Sequence, residues 1–164
     1  MSKSGEVQRP GQDRRQPRRP GVLQVVIGDQ VVAQFDQRVV AAMAQGVPVD
    51  GAVLVSTPQD IALIDARKAQ DLFDQIKVPV LGMIENMSTH ICSNCGHEEH
   101  VFGHGGVAAE AEKLGVPLLA EIPLHLDIRV AADGGAPIVV SKPDSTQAEG
   151  FRKVAKALIA GGHA

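Results

Sequence analysis

The 164-residue chain has very few aromatic residues. It contains no Trp and no Tyr, and its four Phe make up 2% of the residues. Proteins that bind single-stranded nucleic acids stack the bases on aromatic side chains, so this composition argues against that activity. No apolar run approaches the ~20 residues that a helix needs to cross a bilayer, and no signal-peptide pattern opens the chain. We therefore expect a cytoplasmic protein that binds neither membranes nor nucleic acids.

Basic charge is concentrated at the start of the chain. Residues 1–20 carry six basic and two acidic groups, a net charge of +4, whereas the whole chain has a net charge of −3. This segment is polar and contains three of the ten prolines, so it cannot build a core. We predict a disordered basic tail over residues 1–21. The acidic remainder has no basic stripe, which speaks further against nucleic acid as the main partner.

From about residue 50 the chain alternates short apolar runs with amphipathic segments. The apolar runs predict strands at residues 51–56, 78–84, 117–122 and 137–140. Helical spacing of apolar residues and capping signals predict helices at residues 57–76, 108–114, 127–133 and 145–160. The first helix is predicted to be capped by Thr57, and residues 86–104 are predicted to be irregular. This order indicates an α/β protein, with a mostly parallel sheet covered by flanking helices.

Residues 22–43 form a separate segment. Residues 22–27 and 30–35 are both apolar, and they flank the Gly28-Asp29 pair, which is typical of a two-residue turn. This pattern predicts a hairpin, followed by a helix near residues 37–45.

The chain has two cysteines, and they form a Cys-x-x-Cys pair after the second predicted strand. In a cytoplasmic protein, Cys92 and Cys95 at this spacing indicate a metal site or a redox pair rather than a structural disulfide. Two thiolates supply half of the four ligands that zinc or a [4Fe–4S] cluster needs. The remaining ligands must come from nearby histidines or from a second chain.

Four interpretations of the cysteine pair are open at this point. Zinc could be completed by a local imidazole, the candidates being His97, His100 and His104. A redox pair of the thioredoxin type normally opens a helix, and the polar surroundings of this pair do not match that context. A cluster shared between two subunits would take two cysteines from each. The fourth interpretation is two free cysteines in a loop.

Several strings of residues occur together and in one order along the chain. They are Ala44-Gln45-Gly46-Val47-Pro48, Ala52 to Asp60, Leu63 to Arg67, Ile84-Glu85-Asn86-Met87-Ser88, Cys92 to Gly96, Phe102 to Gly106 and Glu121 to Arg129. With these strings, residues 44–142, about 60% of the chain, closely resemble the C-terminal half of the Mrp/ApbC-type iron–sulfur cluster carriers, which are MinD/ParA-like P-loop ATPases. The resemblance implies that residues 44–164 are the C-terminal part of such an ATPase domain.

The resemblance also implies ligands and partners. A [4Fe–4S] cluster would bridge the two subunits of a homodimer, with Cys92 and Cys95 as each chain's ligands, and would be passed to apo iron–sulfur proteins. Asn86 would contact the adenine of ATP, and the loop with Pro123, Leu124 and Asp127 would flank the same base. Apart from the resemblance, Asn86 would be interpreted as an asparagine that starts a loop and bonds to its backbone.

The chain departs from this family's pattern before residue 44. No Gly-Lys pair occurs in it, so the Gly-rich phosphate-binding loop is missing, as is the family's acidic Pro-Pro-Gly-Thr-Gly-Asp segment. Residues 102–106 lack a lysine and are predicted to be a turn that enters a helix. We therefore expect a partial P-loop NTPase-like sheet without its N-terminal strands, a truncated or frame-shifted cluster carrier that does not hydrolyse ATP efficiently. The alternatives are a non-enzymatic zinc-binding domain and an inactive gene fragment.

Overall fold

The computed structural model describes residues 21–26, 49–92 and 94–163. The secondary-structure elements are, in chain order, β1 (Gly21–Val26), β2 (Val49–Ser56), α1 (Asp60–Gln75), β3 (Val80–Ile91), β4 (Glu98–Glu99), α2 (Gly106–Leu114), β5 (Leu118–Leu124), α3 (Leu126–Asp133), α4 (Ile138–Ser141) and α5 (Thr146–Ala160). None of the helices in these ranges is long and apolar enough to cross a membrane.

The strands form one mostly parallel sheet. Strands β1, β2, β3 and β5 lie side by side in that order, and each neighbouring pair is parallel. The two-residue strand β4 pairs antiparallel with the end of β3. Parallel strands need crossover connections, which α1 supplies between β2 and β3 and α2 supplies between β3 and β5. The predicted α/β class is thereby confirmed.

Each face of the sheet has its own apolar core. On one face, Leu54 and Met83 of the strands pack with Phe73 of α1 and Val107 of α2. On the other face, strand residues such as Ile84 pack against partly buried residues of α3 and α5. Successive side chains of a strand point to opposite faces, so a strand covered on both faces is apolar throughout. This explains why the predicted strands show no polar alternation.

The apolar run at residues 137–140 was predicted to be a strand, and that prediction is wrong. Residues Ile138–Ser141 form the short helix α4, whose first turn is closed by hydrogen bonds from the backbone N–H groups of Val140 and Ser141 to the carbonyl of Pro137. Of the apolar side chains, Ile138 is buried, whereas Val140 is 71% exposed. A single buried side chain is what a helical turn on the surface provides, and local composition does not distinguish it from a short strand.

The stretch predicted to be irregular, residues 86–104, is partly regular. Strand β3 continues to Ile91, although its register with β5 shifts between Asn86 and His90, and Met87 has a positive φ of 55°. Residues His90 and Ile91 then pair with β4. The polar residues after Asn86 do not have the apolar pattern of a strand. The end of β3 is extended because it pairs with β4, which follows later in the chain.

The predicted start of the first helix also differs. The residue before the first turn is Gln59, and no side chain caps it. The Thr57 hydroxyl donates a 3.1 Å hydrogen bond to Gln59 Oε1 instead.

The predicted basic tail, the second strand of the predicted hairpin and the helix near residues 37–45 lie outside the described residues. The first strand of that hairpin corresponds to β1, which pairs parallel with β2.

Candidate metal centre and adjoining cleft

Both cysteines lie in the loop of a small hairpin at the end of β3. At the base of the loop, the Cys92 N–H donates a 2.9 Å hydrogen bond to the carbonyl of His97. The Gly96 N–H donates a second 2.9 Å bond to the carbonyl of Cys92. Gly96 has a φ of 71°, a left-handed conformation that glycine adopts without strain. Two backbone hydrogen bonds therefore stabilise the turn that carries the two cysteines, at the carboxyl end of β3.

The two thiols differ in environment. Both are free, with Cys92 half-buried and Cys95 exposed. The pKa of Cys92 lies below its ordinary value, chiefly because the backbone N–H of Asn94 stabilises the thiolate, with further contributions from the backbone N–H and the side chain of Cys95. A thiolate is the form of cysteine that binds metals, so the loop favours the ligating state of Cys92.

The histidines do not complete a site around the cysteines. Within the described parts of the chain, no cysteine belongs to a group of three or more His, Cys, Asp or Glu donors close enough to share a metal ion. His100 turns instead toward β3, with its Nδ1 3.1 Å from the Ser88 carbonyl, and its ring lies 4.3 Å from that of His104. His97 is exposed. Among the described residues, the histidines predicted as zinc ligands therefore do not form one donor group with the cysteines.

Three of the residues predicted to flank adenine belong to neighbouring strands: Asn86 lies within β3, and Pro123 and Leu124 end β5. Asn86 pairs with Ile122 of β5, next to Pro123, whereas Leu124 pairs with His90 after the shift in register. All three are half-buried. Carboxyl ends of parallel strands are the usual ligand-binding edge of such sheets.

Asp127 has a different environment, in the first turn of α3. Its Oδ2 lies 2.6 Å from Lys142 Nζ, and its N–H donates to His125 Nδ1. The hydrogen bond from Lys142 lowers the pKa of the Asp127 carboxyl below its ordinary value. Asp127 is therefore engaged in a surface ion pair.

A cleft of about 340 Å³ connects the cysteine hairpin with the end of β5. Its lining residues are Ser88, Thr89, Ile91, Glu98, His104, Glu121, Pro123 and Thr146. Of the four predicted nucleotide contacts, Pro123 is the one that lines it. The cleft thus extends from the strands of the cysteine hairpin to Pro123, one of the predicted adenine contacts.

A group of three donors in this region was not recognised from the sequence as a group. Glu85, His104 and Glu121 each place one donor atom so that all three atoms lie within 4.8 Å of one another. Glu85 is fully buried, at 0% exposure. Glu85 directly follows the apolar run that was predicted as a strand, and a charged residue there is the signal that could have indicated the group.

Comparison with known proteins decides the family. A family model described as NUBPL iron-transfer P-loop NTPase matches residues 36–159, about three quarters of the chain. The chain belongs to this family. A relative in Escherichia coli K12, named iron–sulfur cluster carrier protein, is 52% identical over 118 residues, which are 72% of this chain and 32% of that protein. The resemblance derived from the sequence motifs is therefore confirmed.

Solved structures show that the chain is similar in fold to nucleotide-binding proteins of the MinD type. A nucleotide-binding protein from Archaeoglobus fulgidus, in complex with ADP, is 33% identical, with a TM-score of 0.56 over 68% of this chain and 44% of its own. The MinD protein of Pyrococcus horikoshii, complexed with Mg-ADP, is 30% identical, with a TM-score of 0.54 over 71% of this chain and 44% of its own. The chain thus spans less than half the length of these relatives.

Proposed function

We propose that this chain carries an iron–sulfur cluster as cargo, with Cys92 and Cys95 as its ligands. The observation that supports this most is a pair of free thiols on one exposed turn, with the pKa of Cys92 lowered and neither thiol in a group of three or more donors among the described residues. Relatives named iron–sulfur cluster carriers support the same conclusion.

The cargo is a [4Fe–4S] cluster held between two copies of the chain. Such a cluster takes four thiolates, and each copy supplies two from Cys92 and Cys95. The turn lies at the carboxyl end of β3, outside the apolar core. Two copies can therefore approach there without disrupting the core. The shared cluster then passes to apo iron–sulfur proteins, and loss of the cluster leaves two apo chains.

Reconstitution under exclusion of oxygen tests this function. The chain is incubated with ferrous iron and sulfide, and iron, sulfide and molecular mass are measured after gel filtration. We expect about two irons per chain in a coloured dimer, which restores activity to an apo enzyme that needs a [4Fe–4S] cluster. Cys92→Ser is expected to abolish colour and dimer together.

The matched control is His97→Ala, in the same turn. We expect it to load iron like the unchanged chain, because no role is assigned to this imidazole in the shared cluster. Loss of metal in this variant, with one zinc per chain in the unchanged protein, would instead support the zinc-binding domain. A colourless, iron-free product would refute the carrier function.

Nucleotide contact is the second part of the proposal. Asn86 and Pro123, on the neighbouring strands β3 and β5, form one side of an adenine site, and a relative of this fold was solved with ADP. The Gly-Lys pair of a phosphate-binding loop does not occur in the sequence, so we limit the proposal to contacts with the base. Calorimetry should show weak binding of ATP that Asn86→Ala removes. Absence of measurable binding to the unchanged chain would end this part of the proposal.

A further inference from the structure

Two carboxylates face one another on the neighbouring strands β3 and β5. Glu85 of β3 is in register with Glu121 of the parallel neighbour β5. Residues in register on adjacent strands point to the same side of the sheet, so their charges lie close together. Like charges directly opposite one another destabilise a sheet unless a proton or a cation lies between them.

The carboxylate of Glu85 is held in a fixed orientation but is only half satisfied. Its Oε2 accepts a 3.0 Å hydrogen bond from the N–H of Val107, in the first turn of the nine-residue helix α2. Its Oε1 is buried and has no hydrogen-bond partner among the described residues. A buried charged oxygen without a partner is costly, and metal coordination is one way in which proteins satisfy it.

His104 adds a nitrogen donor to the two carboxylates. The donor atoms of Glu85, His104 and Glu121 all lie within 4.8 Å of one another. His104 and Glu121 are exposed and line the cleft, so an ion can reach the group from solvent and the two side chains can adjust around it. Glu85, in contrast, is anchored by α2.

We propose that Glu85, His104 and Glu121 bind one divalent first-row transition-metal ion, such as Fe²⁺, Co²⁺ or Zn²⁺, with water completing its coordination. One imidazole and two carboxylates suit these ions, and the two negative charges balance the charge of the ion. The site is separate from the cysteine pair, because no cysteine of the described residues belongs to the group.

Cobalt binding to the chain that carries both Cys92→Ser and Cys95→Ser tests the proposal. Without thiols, no cobalt–thiolate absorption can arise, and any Co²⁺ measured by calorimetry and visible absorption binds through nitrogen and oxygen. We expect one Co²⁺ per chain. Adding Glu121→Gln should weaken binding by more than about tenfold, since loss of even an outer partner of a metal ligand costs roughly 10–100-fold.

Two further variants make the result specific. Glu85→Gln keeps an acceptor for the Val107 N–H and should weaken binding as strongly, whereas Glu112→Gln, exposed on α2, should leave it unchanged. If Glu85→Gln does not fold, as judged by circular dichroism, Glu121→Gln still decides, because that side chain is exposed. Absence of Co²⁺ binding to the cysteine-free chain, or equal affinity after Glu121→Gln, would overturn the site. Neither result bears on the cluster carrier function, which needs the cysteines.

Discussion

The guanidinium of Arg67 forms two parallel hydrogen bonds with the carboxylate of Glu110, from Nε to Oε1 at 2.5 Å and from Nη2 to Oε2 at 2.6 Å. This pair joins α1 to α2, the two helices that cover the same face of the sheet. The Glu110 side chain is 3% exposed, whereas that of Arg67 is 47% exposed. The half-exposed Arg67 therefore supplies the hydrogen-bond partner of the buried Glu110 carboxylate.

This pair predicts a pH-dependent stability. The hydrogen bonds from Arg67 lower the pKa of the Glu110 carboxyl. The stabilisation is therefore complete above the pKa of an unfolded Glu, about 4.3, and is lost as the pH falls through the lower pKa of the folded state. Glu110→Gln should lower the free energy of unfolding at neutral pH, and its difference from the unchanged chain should shrink at acid pH. Urea denaturation at a series of pH values measures this.

The matched control for Glu110 is Glu112→Gln, on the exposed side of the same helix. It should leave both the stability at neutral pH and the pH profile nearly unchanged. If the profile of Glu110→Gln instead runs parallel to that of the unchanged chain, the ion pair does not contribute in this way.

Phe73 predicts a large effect in the core. Its side chain is fully buried in the face covered by α1 and α2. Phe73→Ala should lower the free energy of unfolding by about 3–5 kcal/mol, because it removes apolar contacts and leaves a cavity. Denaturant titration measures this loss. Phe151→Ala serves as the control, since Phe151 is 38% exposed and should cost clearly less; equal losses would contradict the packing.

Gly106 lies where the start of α2 approaches the backbone of Pro58 closely. A Cβ at this position would lie 2.5 Å from the carbonyl oxygen of Pro58, so α2 can begin here only because the residue has no side chain. Gly106→Ala should cost about 1–3 kcal/mol of stability through this overlap. Thermal and denaturant unfolding measure the cost, with the exposed Ala109→Ser in the same helix as control. An unchanged stability would show that the two segments separate easily.

The environment of Cys92 predicts its reactivity. Because backbone N–H groups of the turn lower its pKa, alkylation of Cys92 should reach half its maximal rate at a lower pH than an ordinary thiol, whose pKa is about 8.5. The Cys95→Ser variant isolates this thiol, and mass spectrometry follows its reaction with iodoacetamide. The same variant in concentrated urea is the control, because the turn's hydrogen bonds are lost there. Identical profiles in both solvents would mean that the turn does not stabilise the thiolate.

Much of the fold could be predicted from local pattern. The strands at residues 51–56, 78–84 and 117–122 and the helix at residues 145–160 match β2, β3, β5 and α5, apart from their ends. Each of these segments has enough apolar residues, at the spacing of a strand or a helix, to bury one face. That spacing decides its conformation. The run at residues 137–140 is too short for a period, and its prediction as a strand is wrong.

The candidate site divides in the same way. Cys92 and Cys95 are close in sequence, so their spacing alone indicated a metal site or a redox pair. The group of Glu85, His104 and Glu121 could not be derived from spacing, because its members are far apart in the chain and meet only where β3, β5 and the segment before α2 come together.

The amino-acid sequence by itself therefore determined the class of fold, the family and the cysteine pair that we propose as cluster ligands, because periodicity, motifs and short spacings are local properties. The tertiary structure alone decided how far β3 extends, which carboxylate is buried, and which side chains share the cleft. Those features depend on strand register and helix packing, and these are set by contacts between residues distant in the chain.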